Sequence, residues 1–210
     1  MASAAHKGVA ADELVGRAPR SFWRPQLNAG TLRLKIQSVA RVNPRKPMPL
    51  PNELSAPCDF DFIIGDWHVR HRRLNSRLSG CTDWTEFSGL SSTRQILGGF
   101  GNVEDNILRF SDGDVRAVAV RSFDRAAHNW SIWWLDGRNP HQLDTPVVGK
   151  FSGTTGVFFA DDSLNGTPIK VRFIWNANPG GNPTWEQAFS QDSGATWETN
   201  WTMEFSRGEA

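Results

Sequence analysis

The stretch "FIIGDWHVRHRR", Phe62–Arg73, decides how this chain is read. From Gly65 onward it alternates with a period of two, the repeat of a strand and not of a helix. With Trp67 turned inward, Val69, His71 and Arg73 share its face, while His68, Arg70 and Arg72 face out. An inner face that mixes indole, imidazole and guanidinium does not belong to a dry sandwich. It predicts an interior with polar work to do.

Working outward, β-type segments recur about every dozen residues. The pattern predicts strands at 66–74, 82–89, 103–109, 115–122 and 129–135, then at 146–151, 156–160, 168–175, 184–190 and 197–206. Between them lie "SDGD" (111–114), "LDGRNP" (135–140), "DDSLNG" (161–166) and "NPGGNP" (178–183), whose Asp-Gly, Asn-Gly and Pro-Gly pairs suit tight turns. The segment "SSTRQILGG" (91–99) has room for one short helical turn. About ten short strands on hairpin-length connections predict an all-β, up-and-down antiparallel meander over residues 58–210. A meander of that length closes into a barrel, because closure removes exposed edges.

Composition bounds what such a barrel does. The 210 residues hold 10 Trp and 13 Phe but no Tyr, a mixture suited to strands and to the wall of a pocket. No apolar run approaches the 18 or so residues of a membrane helix, so no membrane partner is expected. Residues 1–57 hold nine Lys/Arg against three Asp/Glu, whereas 58–210 hold fourteen against nineteen. This predicts a basic, Pro-containing N-terminal extension over 1–57, partly flexible, with a half-buried strand pattern in "TLRLKIQ" at 31–37. Its cations are spaced and carry no nucleic-acid motif, so no nucleic acid is expected as a partner. The N-terminus lacks an apolar signal core, and its Arg, Ala and Ser content only faintly resembles a transit peptide. The expectation is a cytoplasmic protein with Cys58 and Cys81 as two thiols, since their spacing is not that of a zinc site.

Gly65-Asp66-Trp67 before the first strand, together with Arg207 at the end of the last, resembles the lipocalin and wider calycin barrels. In those folds a Gly-x-Trp packs beneath a basic residue from the end of the barrel. A guanidinium over the indole face caps the floor by a cation–π contact. The chain is similar in particular to a bacterial family of uncharacterised lipocalin-like domains. The stretches alike are "FDFIIGDWHVRHRRL", "GGFGNVEDN", "RSFDRAAHNWSIWWLDGRNP" and "WEQAFSQDSGATWETNWTMEFSR", roughly residues 59–207. The resemblance implies a lipocalin-like barrel and transfers no catalytic residue. The glycine-rich opening of haem-binding nitrobindin barrels is absent, since His68, Val69, Arg70 and His71 follow Trp67. No cofactor is expected.

Several residues are candidates for a site. His71, inside the barrel, is a possible acid or base, with a barrel-lining histidine as the bland alternative. "GNVEDN" places Asn102, Glu104 and Asn106 on one face, which either lines a wet cavity or is exposed. Glu104 within reach of His71 would make an acid–base pair. Arg121 shares a face with Ala117, Ala119 and Phe123, so it either anchors an acidic ligand group or forms a structural salt bridge. Trp134, Trp185 with Gln187, and Trp201 suit a flat or hydrophobic ligand, unless the indoles simply fill the barrel. Lone histidines give no metal site. Nucleophile and phosphate-loop motifs are missing, which excludes serine hydrolases, P-loop and Rossmann enzymes.

Two functions remain open. One is binding of a small hydrophobic or aromatic ligand, oriented by Asn106, Arg121 and Gln187 among Trp134, Trp185 and Trp201. The other is a cofactor-independent lyase, isomerase or cyclase in which His71 and Glu104 move protons. "SQDSGATW", Ser190–Trp197, resembles a sialidase Asp-box, but it occurs once, in a chain without Tyr. It is read as a hairpin turn in which Asp192 accepts amide bonds and Gly194 takes a positive φ.

Overall fold

A computed structural model describes residues 55–208. The extension expected over 1–57, with its strand at 31–37, lies outside the described residues except for its last three. Ten strands follow a short 3-10 turn at Asp61–Ile63. They are β1 (Gly65–Leu74), β2 (Trp84–Ile96), β3 (Gly101–Phe110), β4 (Gly113–Asp124), β5 (Asn129–Asp136), β6 (Val147–Ser152), β7 (Thr155–Leu164), β8 (Thr167–Asn176), β9 (Thr184–Ser190) and β10 (Glu198–Ser206). Each pairs antiparallel with its sequence neighbours, and β10 returns to β1, so the sheet closes on itself without an edge. This is the all-β, up-and-down barrel expected, consistent with a lipocalin-like fold. No helix among the described residues is long and apolar enough to cross a membrane.

The short helical turn for which 91–99 has room is present, while the second strand extends well beyond the expected 82–89. Strand β2 runs on to Ile96, and only Leu97–Gly99 is a 3-10 turn. The reason is alternation: Ser91 and Thr93 point inward and are buried, as ladder positions require, while Ser92 and Arg94 face out. Small polar side chains on an inner face look like turn residues in a one-dimensional reading.

The two ends of the barrel differ. At one end, Phe60 from the segment before β1 plugs the interior. Its ring lies 5.0 Å from Trp130, 4.9 Å from Phe151 and 6.0 Å from each of Phe158 and Trp175. Burying such a ring is worth on the order of 2 kcal/mol. Asp59 hooks the segment in place by accepting a bond from Trp130 Nε1 at 2.9 Å.

The same end carries the Gly-x-Trp device. Arg207 stands with its guanidinium carbon 3.5 Å from the Trp67 ring centroid and donates to the Asp66 and Ile64 carbonyls, both at 2.8 Å. Trp67 Nε1 donates to Ile63 O at 2.8 Å. Gly65 is needed twice over: its φ is +106°, and a Cβ there would sit 2.7 Å from Arg207 Nη1. Gly65, Trp67 and Arg207 therefore interlock at this end of the barrel.

Candidate functional site

The opposite end of the barrel is open. Its mouth is framed by the β1–β2 loop (75–83) and the β5–β6 loop (137–146), the longer connections at this end. Beneath them lies a cavity of about 520 Å³. Its walls carry four indoles, Trp134, Trp175, Trp185 and Trp201, together with Phe110, Phe173 and Phe189. The rings brace one another edge to face: Trp185 and Trp201 are 5.7 Å apart at 83°, and Trp134 and Trp201 are 6.2 Å apart at 80°. The wall is therefore held rigid by its own packing.

Arg121 marks the floor. Its side chain is only 1% exposed, and its guanidinium lies between the rings of Phe60 and Trp175 at 5.0 and 4.9 Å. Nη1 donates to Asn102 Oδ1 at 2.8 Å, and Nη2 pairs with the Glu104 carboxylate. Glu104 also accepts from Ser91 Oγ at 2.7 Å. The charge of Arg121 is thus already met inside the protein. Two donors at this level, Arg121 Nε and Trp175 Nε1, are buried without an acceptor among the described residues. Both residues line the cavity, and buried donors left unmatched are costly.

Of the residues expected to bind ligand, Arg121, Trp134, Trp185, Gln187 and Trp201 all line this cavity, and Asn106 does not. Asn106 is buried, but its amide turns to the Glu104 carbonyl at 3.3 Å. Gln187 spends its amide donor on Asn200 Oδ1 at 2.8 Å, beside a bulge in β10 between Thr199 and Trp201.

The structure does not bring His71 and Glu104 together. In the ladder, Glu104 lies level with Thr93 and Gly65, whereas His71 lies level with Phe87 and so with Phe110. That is six residues further along β3, roughly 20 Å at the rise of a strand. His71 is buried and stacked on Phe87, with centroids 4.6 Å apart at 5°. Its Nδ1 accepts from Trp201 Nε1 at 3.3 Å, which places the imidazole behind a cavity indole and not in the wall itself. Burial drives its pKa down to about 4, so the ring is neutral at pH 7.

Other lining residues escaped the sequence reading. Trp175 lies on a predicted strand, 168–175, with nothing in the alternation to mark its indole. At the mouth stand Arg73, Arg77, Arg138, Asp136 and Asp144. The inward face of Arg73 was legible from alternation with Trp67. Arg77, Arg138 and Asp144 sit in loops, where no periodicity signals direction.

Asp192 accepts from the Thr196 amide at 2.8 Å, from Thr196 Oγ1 at 2.6 Å and from Ser190 Oγ at 2.7 Å. These bonds hold its carboxyl well below the usual range. Gly194 takes φ +96°, and Trp197 Nε1 donates to its carbonyl. The Asp-box-like stretch is thus the β9–β10 turn. Cys58 and Cys81 are free thiols. No group of three or more His, Cys, Asp and Glu side chains is gathered as metal ligands would be, among the described residues. No protein-family model matches the chain, and no curated protein matches it in sequence.

Proposed function

We propose that this protein is a calycin-type carrier or sensor that binds a small, mainly aromatic or hydrophobic ligand inside the barrel. The observation that carries the reading is the open, rigid cavity of about 520 Å³ walled by four indoles. A barrel whose indoles served only as filling would close on itself, as its plugged end does around Phe60. Cavities of this size suit drug-sized molecules, with apolar walls for affinity and a few polar groups for orientation. The unmatched donors on Arg121 and Trp175 fit a hydrogen-bond acceptor at the buried end of the ligand.

Binding is favoured over proton-transfer catalysis by the site's own chemistry. Glu104 is tied to Arg121 and Ser91, and His71 is stacked behind Trp201, so neither offers the cavity a free acid–base group. A neutral fluorescent aromatic, phenylnaphthylamine, tests the reading. It should quench the cavity tryptophans and gain emission on binding. Ala119→Leu, which adds bulk inside the cavity, should weaken that binding without disturbing the near-UV dichroism of the fold. Binding that is absent from the native barrel, or indifferent to Ala119→Leu, defeats the proposal.

A further inference from the structure

The mouth of the cavity holds two arginines that no carboxylate contacts directly among the described residues. Arg73 projects from the end of β1 with its guanidinium carbon 5.3 Å from the Trp201 ring centroid and 5.9 Å from that of Phe110. Arg77 follows in the next loop, with its Nε buried and without a partner. Neither forms a salt bridge among the described residues. The neighbouring carboxylates are otherwise engaged or set apart. Asp136 takes a two-pronged grip from Arg138, through Nε at 2.9 Å and Nη2 at 2.6 Å. Glu198 accepts from the Leu78 amide at 2.6 Å and exerts a pull on Arg77 that is smaller than the opposing effect of burial. Asp144, on the β5–β6 loop, is pushed towards its neutral form by burial and by the nearby Asp162 and Asp136.

The electrostatic state of Arg73 agrees with this geometry. Burial, with Arg77 and Arg138 as like-charged neighbours, lowers its pKa to about 10 against a smaller opposing pull from Asp136. Two partly desolvated cations, one of them beside the Trp201 and Phe110 rings, form a receptor for a planar anion, since guanidinium pairs with carboxylate or sulfonate through two parallel bonds. Arg121 is a poorer receptor, because Glu104 already neutralises it.

Resting on the proposed binding function, we infer that the ligand is an aromatic anion, with its ring body among the indoles and its acidic group held at the mouth by Arg73 and Arg77. The acidic end therefore stays near solvent and the neutral end enters first. This orientation spares the anion full desolvation, which an interior site would impose.

A matched pair of probes tests the assignment. Anilinonaphthalene sulfonate and phenylnaphthylamine share one ring system and differ in the sulfonate. The native protein should bind the sulfonate about tenfold more tightly, the worth of one good charged hydrogen-bonded contact. That advantage should shrink as salt is added. Arg73→Gln with Arg77→Gln should remove it while leaving phenylnaphthylamine within about twofold, a difference too small to signal a lost contact. Arg73→Lys, a milder change, should keep part of the preference. Equal affinity of the native protein for both probes overturns the inference and leaves the binding function standing, whereas failure of both probes to bind removes that function itself. An equal loss for both probes in the glutamine variants also overturns it, because the arginines would then be shaping the cavity and not reading charge. Displacement of the sulfonate by inorganic phosphate alone, with no displacement by excess phenylnaphthylamine, would mark a simple anion site and reject the aromatic part.

Discussion

Replacing Arg121 with Met tests the electrostatic core that separates the plugged end of the barrel from the cavity. Both charged side chains are almost wholly withdrawn from water, at 1% and 4% exposure. In Arg121→Met the thioether fills much of the space between Phe60 and Trp175. The Glu104 carboxylate keeps only the Ser91 hydroxyl, and Asn102 Oδ1 loses its donor. A buried charge left without its partner costs about 3–5 kcal/mol, a large share of the roughly 5–15 kcal/mol available to a domain. Glu104→Gln should cost a similar amount, because it strands a guanidinium that cannot shed its proton. The double variant removes both charges and should lose far less than the two single costs combined. Urea unfolding followed by tryptophan emission gives all four corners of the cycle, with an unchanged denaturant slope confirming comparable unfolding. The expected coupling is at least about 2 kcal/mol. Single variants that each lose under about 1 kcal/mol, or costs that simply add, would refute the reasoning.

Two further outcomes follow from the same geometry. His71 has its pKa lowered from 6.5 to about 4 by burial, so between those values the unfolded chain takes up a proton that the folded barrel resists. Stability should therefore fall as pH drops from about 6.5 towards 4, by up to roughly 3 kcal/mol, and flatten below that window. Titration-free His71→Asn, which keeps an acceptor for Trp201, should flatten the profile; an unchanged slope would show that another group is responsible. At the cap, Arg207→Ala should cost about 1–2 kcal/mol through the lost indole contact and two carbonyl bonds. Gly65→Ala should cost about 1–3 kcal/mol from backbone strain. Thermal melts of the combined variant should show less than the sum, because the clash between the new Cβ and Arg207 is gone; strict additivity would mean the two residues do not interlock.

The sequence alone settled which residues of a strand share a face. Alternation is a local property, set by the pleat: it put His71 on the same face as Trp67 and grouped Glu104 with Asn102 and Asn106, and the structure buries both faces. Turn chemistry, equally local, located all ten strands and read the stretch around Asp192 and Gly194 as a hairpin. What one dimension does not contain is height. Whether two inward residues meet depends on the stagger accumulated around the closed ladder, and that stagger sets His71 level with Phe110 and Glu104 level with Gly65. The same stagger brings Glu104 beside Arg121 and leaves Arg73 at the rim without a salt bridge among the described residues. Loop residues such as Arg77 and Asp144 have no period at all, so their place at the mouth was decided only when the sheet closed. Parity is written in each strand; level is a property of the whole barrel.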